Sequence, residues 1–436
     1  MRNNYLHAFC ICLCIMCVTC LKAQVTTIPA IIQKGYKGEI TIVFNPNEGN
    51  KGMAKATACY AHTGITFNGT SWQKAPTWRG GEDKYKMTKN TDGNWELKIT
   101  PDIYTYYGVP ETTEITQLCF VFNDGPKGSL EGKTAENGDI FVNLAEAGLA
   151  ASIQTVMPEI STKGGKITLT CHSTQTASLA LSLNGKVVQN ANGTELTYTT
   201  TLAEEGNYGF EFVAKTDNEE AVAEAFTCVP KAPAKANRPD GVLNGIYYDQ
   251  NDRTKVTLCT YAGSKTAPAQ HVFVVGDFND WTISNDYQLH QATDSAYFWI
   301  TLTGLTPKQE YAMQYVVVRA DGVVKYISDL YSEKLLHPLD QYEPRKIDPT
   351  LMPYPEKGRD YVTVIQTGKE EFAWSDATLN FKRPNKNNLI IYELWVYDHT
   401  PMRSIEGLME RLDYLQNLGV NAVELMPVTE FDGNEN

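Results

Sequence analysis

The sequence predicts a mainly β protein with three tandem β-sandwich domains, followed by a single βαβ unit. Up to about residue 340, short apolar runs that alternate with period two are separated by turns rich in Asn, Asp, Gly and Pro. This pattern is typical of antiparallel sandwiches. After Asn388, two nearly continuous apolar runs flank a segment of helical periodicity, which predicts two parallel strands joined by a helix.

Length and charge limit the possible classes. A chain of 436 residues favours three or four domains. The net charge is −13 and no Lys/Arg cluster interrupts it, so nucleic acid is not an expected partner.

The first 23 residues have the features of a signal peptide. Arg2 precedes a 14-residue apolar run at 8–21, too short to span a bilayer, and Ala23 occupies the cleavage position. We therefore expect an exported protein (periplasmic, cell-surface or secreted) with no transmembrane segment after signal removal. The alternative is a lipoprotein anchored through Cys20.

The cysteines that follow the signal peptide form no metal or disulfide pattern. They are odd in number and include no CxxC pair, so we expect buried free thiols, no metal and no cofactor. They are Cys59, Cys119, Cys171, Cys228 and Cys259.

Residues 24–150 and 151–230 are the first two predicted sandwiches. In the first, strands are expected at 39–45, 56–62, 95–99 and 116–123. In the second, strands are expected at 166–171 and 178–183, and residues 205–210 resemble an immunoglobulin-type tyrosine corner, with Phe210 in the place of a cysteine. This domain is therefore predicted to be Ig-like without a disulfide–tryptophan core. Residues 231–236, rich in Ala, Pro and Lys, are expected to form a linker.

The remaining chain divides into three parts. Residues 240–345 form the third predicted sandwich, and the proline-rich residues 346–386 form a connecting segment. In residues 387–436, strands that are buried on both faces are expected at 389–396 and 421–427, with a helix between them that is N-capped by Ser404 and ends at Gly419.

The third sandwich carries the most specific motif. Residues 274–281, VVGDFNDW, resemble the "GDFNxW" element of the isoamylase N-terminal domain, also called the family 48 carbohydrate-binding module. Further matching elements follow in the family's order as far as Ser332. Leu330 and Ser332 depart from the family's "DPYA"-like closing element, in which Pro and Ala stand at those positions.

Residues 389–434 resemble the opening of the catalytic barrel of glycoside hydrolase family 13, the α-amylase family. The resemblance implies a truncated start of a (β/α)8 barrel. The family's nucleophile and acid lie on later barrel strands, and no position here matches them, so we assign no catalytic residue. Glu393, Glu424 and Glu430 are expected to be barrel-wall or loop residues.

A sugar-binding site is predicted in the first domain. The segment around Tyr60, together with Trp72 and Trp78, resembles loosely the starch-binding modules fused to bacterial amylases. Two aromatic faces set at an angle can stack on neighbouring rings of a curved α-glucan. Loop anchoring or core packing remains the alternative for these tryptophans, and Trp281 and Trp299 are expected to be core residues.

The resemblance implies the non-catalytic N-terminal portion of a secreted α-amylase-family enzyme that acts on starch or related α-glucans by O-glycosyl hydrolysis. The expected partner is an α-glucan polysaccharide or oligosaccharide, and the chain is expected to be inactive alone. A stand-alone glucan-binding protein and a β-sandwich adhesin remain the alternatives.

Overall fold

The structure, a computed structural model, describes residues 24–135, 137–155, 157–264, 266–293, 295–341, 349–370 and 372–428. These residues are mainly β, as predicted, and they divide into two compact units at Pro230/Lys231. The predicted signal peptide and Glu430 lie outside the described residues.

The strands of the first unit are β1 Val25–Ile28, β2 Ile40–Phe44, β3 Tyr60–Phe67, β4 Thr70–Gln73, β5 Thr88–Lys89, β6 Trp95–Ile99, β7 Gln117–Asn123, β8 Glu131–Gly132, β9 Ile140–Asn143, β10 Ala151–Ile153, β11 Lys166–Leu183, β12 Lys186–Thr201, β13 Gly206–Lys215 and β14 Glu220–Val229. Its helix is α1 Ile103–Tyr107, and a 3₁₀ turn spans Asp83–Tyr85.

The strands of the second unit are β15 Gly245–Tyr248, β16 Val256–Tyr261, β17 His271–Gly276, β18 His290–Gln291, β19 Tyr297–Leu302, β20 Glu310–Val318, β21 Val324–Ile327, β22 Leu335–Leu336, β23 Val362–Gln366, β24 Ile391–Leu394 and β25 Ala422–Leu425. Its helices are α2 Asp376–Leu379, α3 Val396–His399, α4 Ile405–Met409 and α5 Leu412–Asn417, with 3₁₀ turns at Asp277–Asn279, Asn285–Tyr287, Pro338–Gln341 and Lys386–Asn388.

The first domain consists of two antiparallel sheets around one core. One sheet has the order β1-β2-β6-β5, and the other has the order β4-β3-β7-β8 with β9 also paired to β7. Alternate residues of both sheets point into the shared core, and Phe44 of β2 stacks on Phe122 of β7 with ring centroids 3.9 Å apart. This arrangement is the one expected of a β-sandwich.

The second domain is built around one long strand. The two strands expected at 166–171 and 178–183 form the single strand β11, which changes its register with β12 between His172 and Ala177. The first part of β11 pairs with β10 and the second part with β13, and both parts contribute to one core. Sequence alternation did not show this continuity, because the polar residues 172–176 separate the two apolar runs.

The predicted tyrosine corner is confirmed. The hydroxyl of Tyr208 donates to the carbonyl oxygen of Glu204 and accepts from the backbone N–H of the same residue, both at 2.9 Å. Cys171 is buried in one core with Phe210 and Phe212.

The third domain again has two antiparallel sheets. Their orders are β15-β16-β19-β18 and β17-β20-β23-β22, with β21 also paired to β20. Strand β23 falls within the segment 346–386, which the sequence assigned to a connection, and it pairs with both β20 and β22. Its residues are buried on both faces and flanked by proline-rich chain, so no alternation marks the strand.

The expected linker at 231–236 is bound to the third domain. Ala236 donates its N–H to the carbonyl of Gln291, and the N–H of Gln291 donates to the carbonyl of Ala234. The segment therefore extends along the edge of β18.

The last described residues form a βαβ unit. Strands β24 and β25 pair in parallel, and Ser404 caps α4 by accepting from the N–H of Gly407, as predicted. Burial on both faces of the strands, however, was a wrong prediction: 56% of Ile391 and 43% of Leu425 are exposed. The described part of the unit supplies two strands only, too few to cover both faces of a parallel sheet.

The five cysteines of the described residues are free and buried, as the sequence predicts. Within the same residues, no helix is both long and apolar enough to cross a membrane.

Candidate functional site

The predicted site residues lie around the edge of the second sheet of the first domain. Tyr60 begins β3, Trp72 lies in the neighbouring strand β4, and Trp78 lies in the loop that follows β4. His62 follows Tyr60 by two residues, so both side chains leave β3 on the same face. The structure brings Trp72 and Trp78 together through this histidine.

The imidazole of His62 contacts both tryptophans. Its ring stacks on Trp72, with centroids 5.2 Å apart and planes 27° from parallel. It meets Trp78 edge-on, with centroids 4.7 Å apart and planes 81° apart. We call His62, Trp72 and Trp78 the aromatic cluster. Trp78 remains 42% exposed, so this cluster presents an indole surface to solvent.

The orientation of Trp72 is fixed at two points. Its backbone adopts a φ of 62°, a left-handed conformation that is uncommon for a residue other than glycine. Its indole N–H donates to the carboxylate Oδ2 of Asp139 at 2.8 Å. The polar end of the indole is therefore already engaged, and the ring faces remain for packing.

The loop that carries Trp78 is anchored by Arg79. The guanidinium donates to Asp124 Oδ1 at 2.9 Å, to the carbonyl of Leu130 at 3.2 Å and to Glu131 Oε1 at 3.3 Å. It also lies 5.6 Å from the centre of the Trp78 ring. Arg79 therefore joins the loop between β4 and β5 to the loop between β7 and β8.

Burial and neighbouring charges set the electrostatics of the site. Burial lowers the pKa of His62, and the nearby carboxylate of Asp139 opposes that shift. The imidazole is therefore neutral at neutral pH, and its buried Nδ1 has no hydrogen-bond partner among the described residues. Hydrogen bonding to Lys133, and then to Arg79, lowers the pKa of Glu131.

A cleft lies beside the aromatic cluster. Its walls include Tyr60 and His62 from β3, Arg79 from the anchored loop, Tyr85 from the 3₁₀ turn and Asn123 from the end of β7. The part of the chain that the structure describes contains no group of three or more His, Cys, Asp or Glu side chains placed to hold a metal ion.

Sequence reasoning found the three aromatic residues and missed the groups that position them. Sequence reasoning assigned no role to His62, although its spacing from Tyr60 places it on the same strand face. Asp139 and Arg79 gave no signal, because their contacts join positions about 45 to 67 residues apart.

The third domain uses its own tryptophan differently. Trp281 has a φ of 57°, and its indole N–H donates to Asp277 Oδ1 at 2.9 Å. The other carboxylate oxygen of Asp277 accepts from the N–H of Ala312 at 2.7 Å, which ties the loop to β20. Trp281 packs on a small core that contains Ala312 and Val362, so its ring serves the domain's own packing.

The carboxylates considered at the sequence level lie in the βαβ unit. Glu393 and Glu424 are register partners on the parallel strands β24 and β25, and both are exposed.

Comparison with known families gives a match within the third domain. Residues 245–332 match the model of the family described as "Carbohydrate-binding module 48 (Isoamylase N-terminal domain)". The isoamylase-type resemblance is confirmed. This range begins at β15 and includes the loop of Asp277 and Trp281, whereas β23 lies beyond it.

The curated relatives include an isoamylase, in agreement with this family match. The chain is 30% identical to malto-oligosyltrehalose trehalohydrolase of Saccharolobus solfataricus over 142 residues, which are 33% of this chain and 20% of that protein. It is 38% identical to chloroplastic isoamylase 1 of Arabidopsis thaliana over 77 residues, which are 16% of this chain and 10% of that protein. The chain thus spans a fifth or less of the length of these relatives.

Among solved structures, the chain resembles apo pullulanase from Paenibacillus barengoltzii. The two are 17% identical, and the match covers 44% of this chain and 28% of that chain with a TM-score of 0.30.

Proposed function

We propose that this protein binds α-glucan through the aromatic cluster of its first domain, as the N-terminal portion of an α-amylase-family enzyme. The observation that carries the proposal is the aromatic cluster itself, in which Trp78 presents an exposed ring beside a polar cleft. The carbohydrate-binding family of residues 245–332 and the enzymes named among the relatives support a glucan as the ligand.

The chemistry of the cluster suits a sugar ring. The apolar C–H face of a glucosyl unit can stack on an indole, and a stacked aromatic contact contributes about 0.5–1.5 kcal/mol beyond its buried area. Neighbouring polar groups then select the ligand through its hydroxyls. Trp72, Trp78 and Tyr60 keep the binding roles that the sequence predicted, and His62 joins them as the ring that sets the angle between the two indoles.

The binding proposal is tested by titrating maltoheptaose into the whole chain by calorimetry. We expect Trp78→Ala to weaken binding about two- to tenfold while thermal stability changes little, because 42% of this side chain is already exposed. Trp374→Ala is the matched control, since Trp374 is also exposed, at 62%, but lies outside the first domain. Undetectable binding by the wild-type chain would refute the proposal.

For the C-terminal residues 387–436, we propose the first βαβ unit of a catalytic barrel. The parallel pairing of β24 and β25 supports this assignment. Because no residue matches the family's nucleophile or acid, we expect the chain to release no reducing sugar from starch, pullulan or maltooligosaccharides. Release that is lost in both Glu393→Gln and Glu424→Gln would reveal a hydrolytic site in this unit.

We also propose export, on the basis of the basic start and the 14-residue apolar run before Gln24. Fractionation of cells that express the chain tests this point. Unprocessed protein retained with the cytoplasmic fraction would contradict it.

A further inference from the structure

The cleft beside the aromatic cluster contains an amide donor that forms no hydrogen bond with any described residue. Asn123 is only 1% exposed, yet it lines the cleft. Its Oδ1 accepts from the N–H of Gly125 at 2.9 Å, which fixes the orientation of the amide. Its Nδ2 therefore carries the donor hydrogens, and it has no hydrogen-bond partner among the described residues.

The Nδ2 of Asn123 remains accessible from the cleft, so an acceptor oxygen that enters the cleft can bond to it. Asn123 lies at the end of β7, where it pairs in register with Tyr60 of β3, so strand pairing fixes its position in the wall of the cleft. The site therefore favours a ligand with hydroxyl oxygens.

Two tyrosines give the same cleft an amphipathic lining. Neither the hydroxyl of Tyr60 nor that of Tyr85 bonds to another residue in the described parts of the chain. The ring of Tyr60 is held by Gly125, whose φ is 96° and where a Cβ would lie 2.9 Å from the tyrosine ring. The ring of Tyr85 is supported edge-on by Tyr106, with centroids 6.1 Å apart.

We propose that this cleft is a second sugar position, which takes the glucosyl unit next to the one stacked on the aromatic cluster. Asn123 Nδ2 donates to a hydroxyl of that unit, and Tyr60 and Tyr85 form the walls around its ring. This inference rests on the proposed function and specifies its ligand as an oligosaccharide of at least two units, not a single sugar.

The strand geometry supports one adjacent unit. Tyr60 and His62 are two residues apart on β3, about 6.6 Å along the strand, so one continuous oligosaccharide can contact both.

The test compares ligand lengths on the whole chain. Maltose, maltotriose and maltoheptaose, with glucose as the single-unit probe, are titrated by calorimetry into wild type, Asn123→Asp and Tyr85→Phe. Asn123→Asp keeps the oxygen that caps Gly125 and removes the donor, and Tyr85→Phe keeps the ring and removes the hydroxyl. Asn143→Asp, an exposed Asn→Asp change on β9, is the matched control.

We expect wild-type affinity to rise from glucose to the oligosaccharides. Asn123→Asp should reduce oligosaccharide affinity about three- to tenfold, and Tyr85→Phe should reduce it less, while both leave glucose binding unchanged. Wild-type length dependence in both variants would overturn the second position but leave the aromatic cluster intact. If Asn123→Asp fails to fold, the Tyr85→Phe variant alone tests the second sugar position. A wild-type chain that binds none of the sugars would overturn both proposals.

Discussion

The first and third domains contain the same local pairing of a tryptophan with an aspartate, but the tryptophan ring has different surroundings in each. In each, a tryptophan in a left-handed backbone conformation donates its indole N–H to an aspartate, Asp139 for Trp72 and Asp277 for Trp281. In the first domain the ring joins a cluster whose outer member, Trp78, is exposed. In the third domain the ring packs against the domain's own core.

The difference comes from what surrounds each tryptophan. Trp281 packs on the same small core as Leu351 and Met352, and Lys357 contacts the backbone and carboxylate of neighbouring Asp280 at 3.0 and 3.1 Å. Trp72 stacks instead on His62, which itself lines a cleft. A tryptophan in a carbohydrate-binding family is therefore not by itself a binding platform. The neighbouring residues determine whether its ring packs on the core or joins an exposed cluster.

The largest expected effect is that of Trp281→Ala on stability. Removing this half-buried ring from its small core should cost about 2–3 kcal/mol of unfolding free energy and should not change maltoheptaose affinity. Urea unfolding and calorimetric titration of the same preparation measure the two quantities. Lost sugar binding with unchanged stability would reverse the assignment of the two domains.

Arg79→Ala should affect both stability and binding. It leaves two carboxylates and a carbonyl without their shared donor, which should cost about 2 kcal/mol, and it frees the loop that carries Trp78. We expect maltoheptaose affinity to fall several-fold as well. Arg79→Lys should restore little, because an ammonium group cannot reproduce the planar fork of donors. Full recovery in the lysine variant would show that charge alone holds the loop.

A matched pair of aspartate variants sharpens the comparison. Asp277→Ala removes the acceptor for both Trp281 and Ala312 and should cost about 1–2 kcal/mol of stability. Asp139→Ala releases only the Trp72 indole and should weaken maltoheptaose binding about twofold with a smaller loss of stability. Thermal unfolding beside sugar titration distinguishes the variants. Equal stability losses with no effect on affinity would argue that Trp72 is structural too.

The smallest effect concerns pH. Burial lowers the pKa of His62 in the folded chain, so the unfolded chain takes up this proton first as pH falls through about 6.5. The His62 contribution to stability is thus constant above that pH and decreases below it, down to the lowered folded pKa. His62→Phe keeps a ring between the tryptophans and should flatten this part of the pH dependence. Because His172 and His271 also have lowered pKa values, the comparison is the difference between variant and wild type.

The sequence by itself determined the mainly β class, the isoamylase-type motif and the parallel pairing at the C-terminal end. These features are local: alternation, a contiguous motif around Asp277, and a Ser404 cap followed by helical spacing each depend on residues near one another in the chain. It also identified Trp72 and Trp78 as candidates, since tryptophans in polar loops are conspicuous without any structure.

Only the tertiary structure decided how those side chains are used. His62 lies between the two indoles because β3 and β4 pair beside the loop of Trp78, and Asp139 reaches Trp72 from 67 residues away. Strand β23 became visible only through its pairing with β20 and β22. Contacts between residues distant in the chain leave no periodic pattern in the sequence, so burial, pairing and the unused donor of Asn123 had to come from the fold.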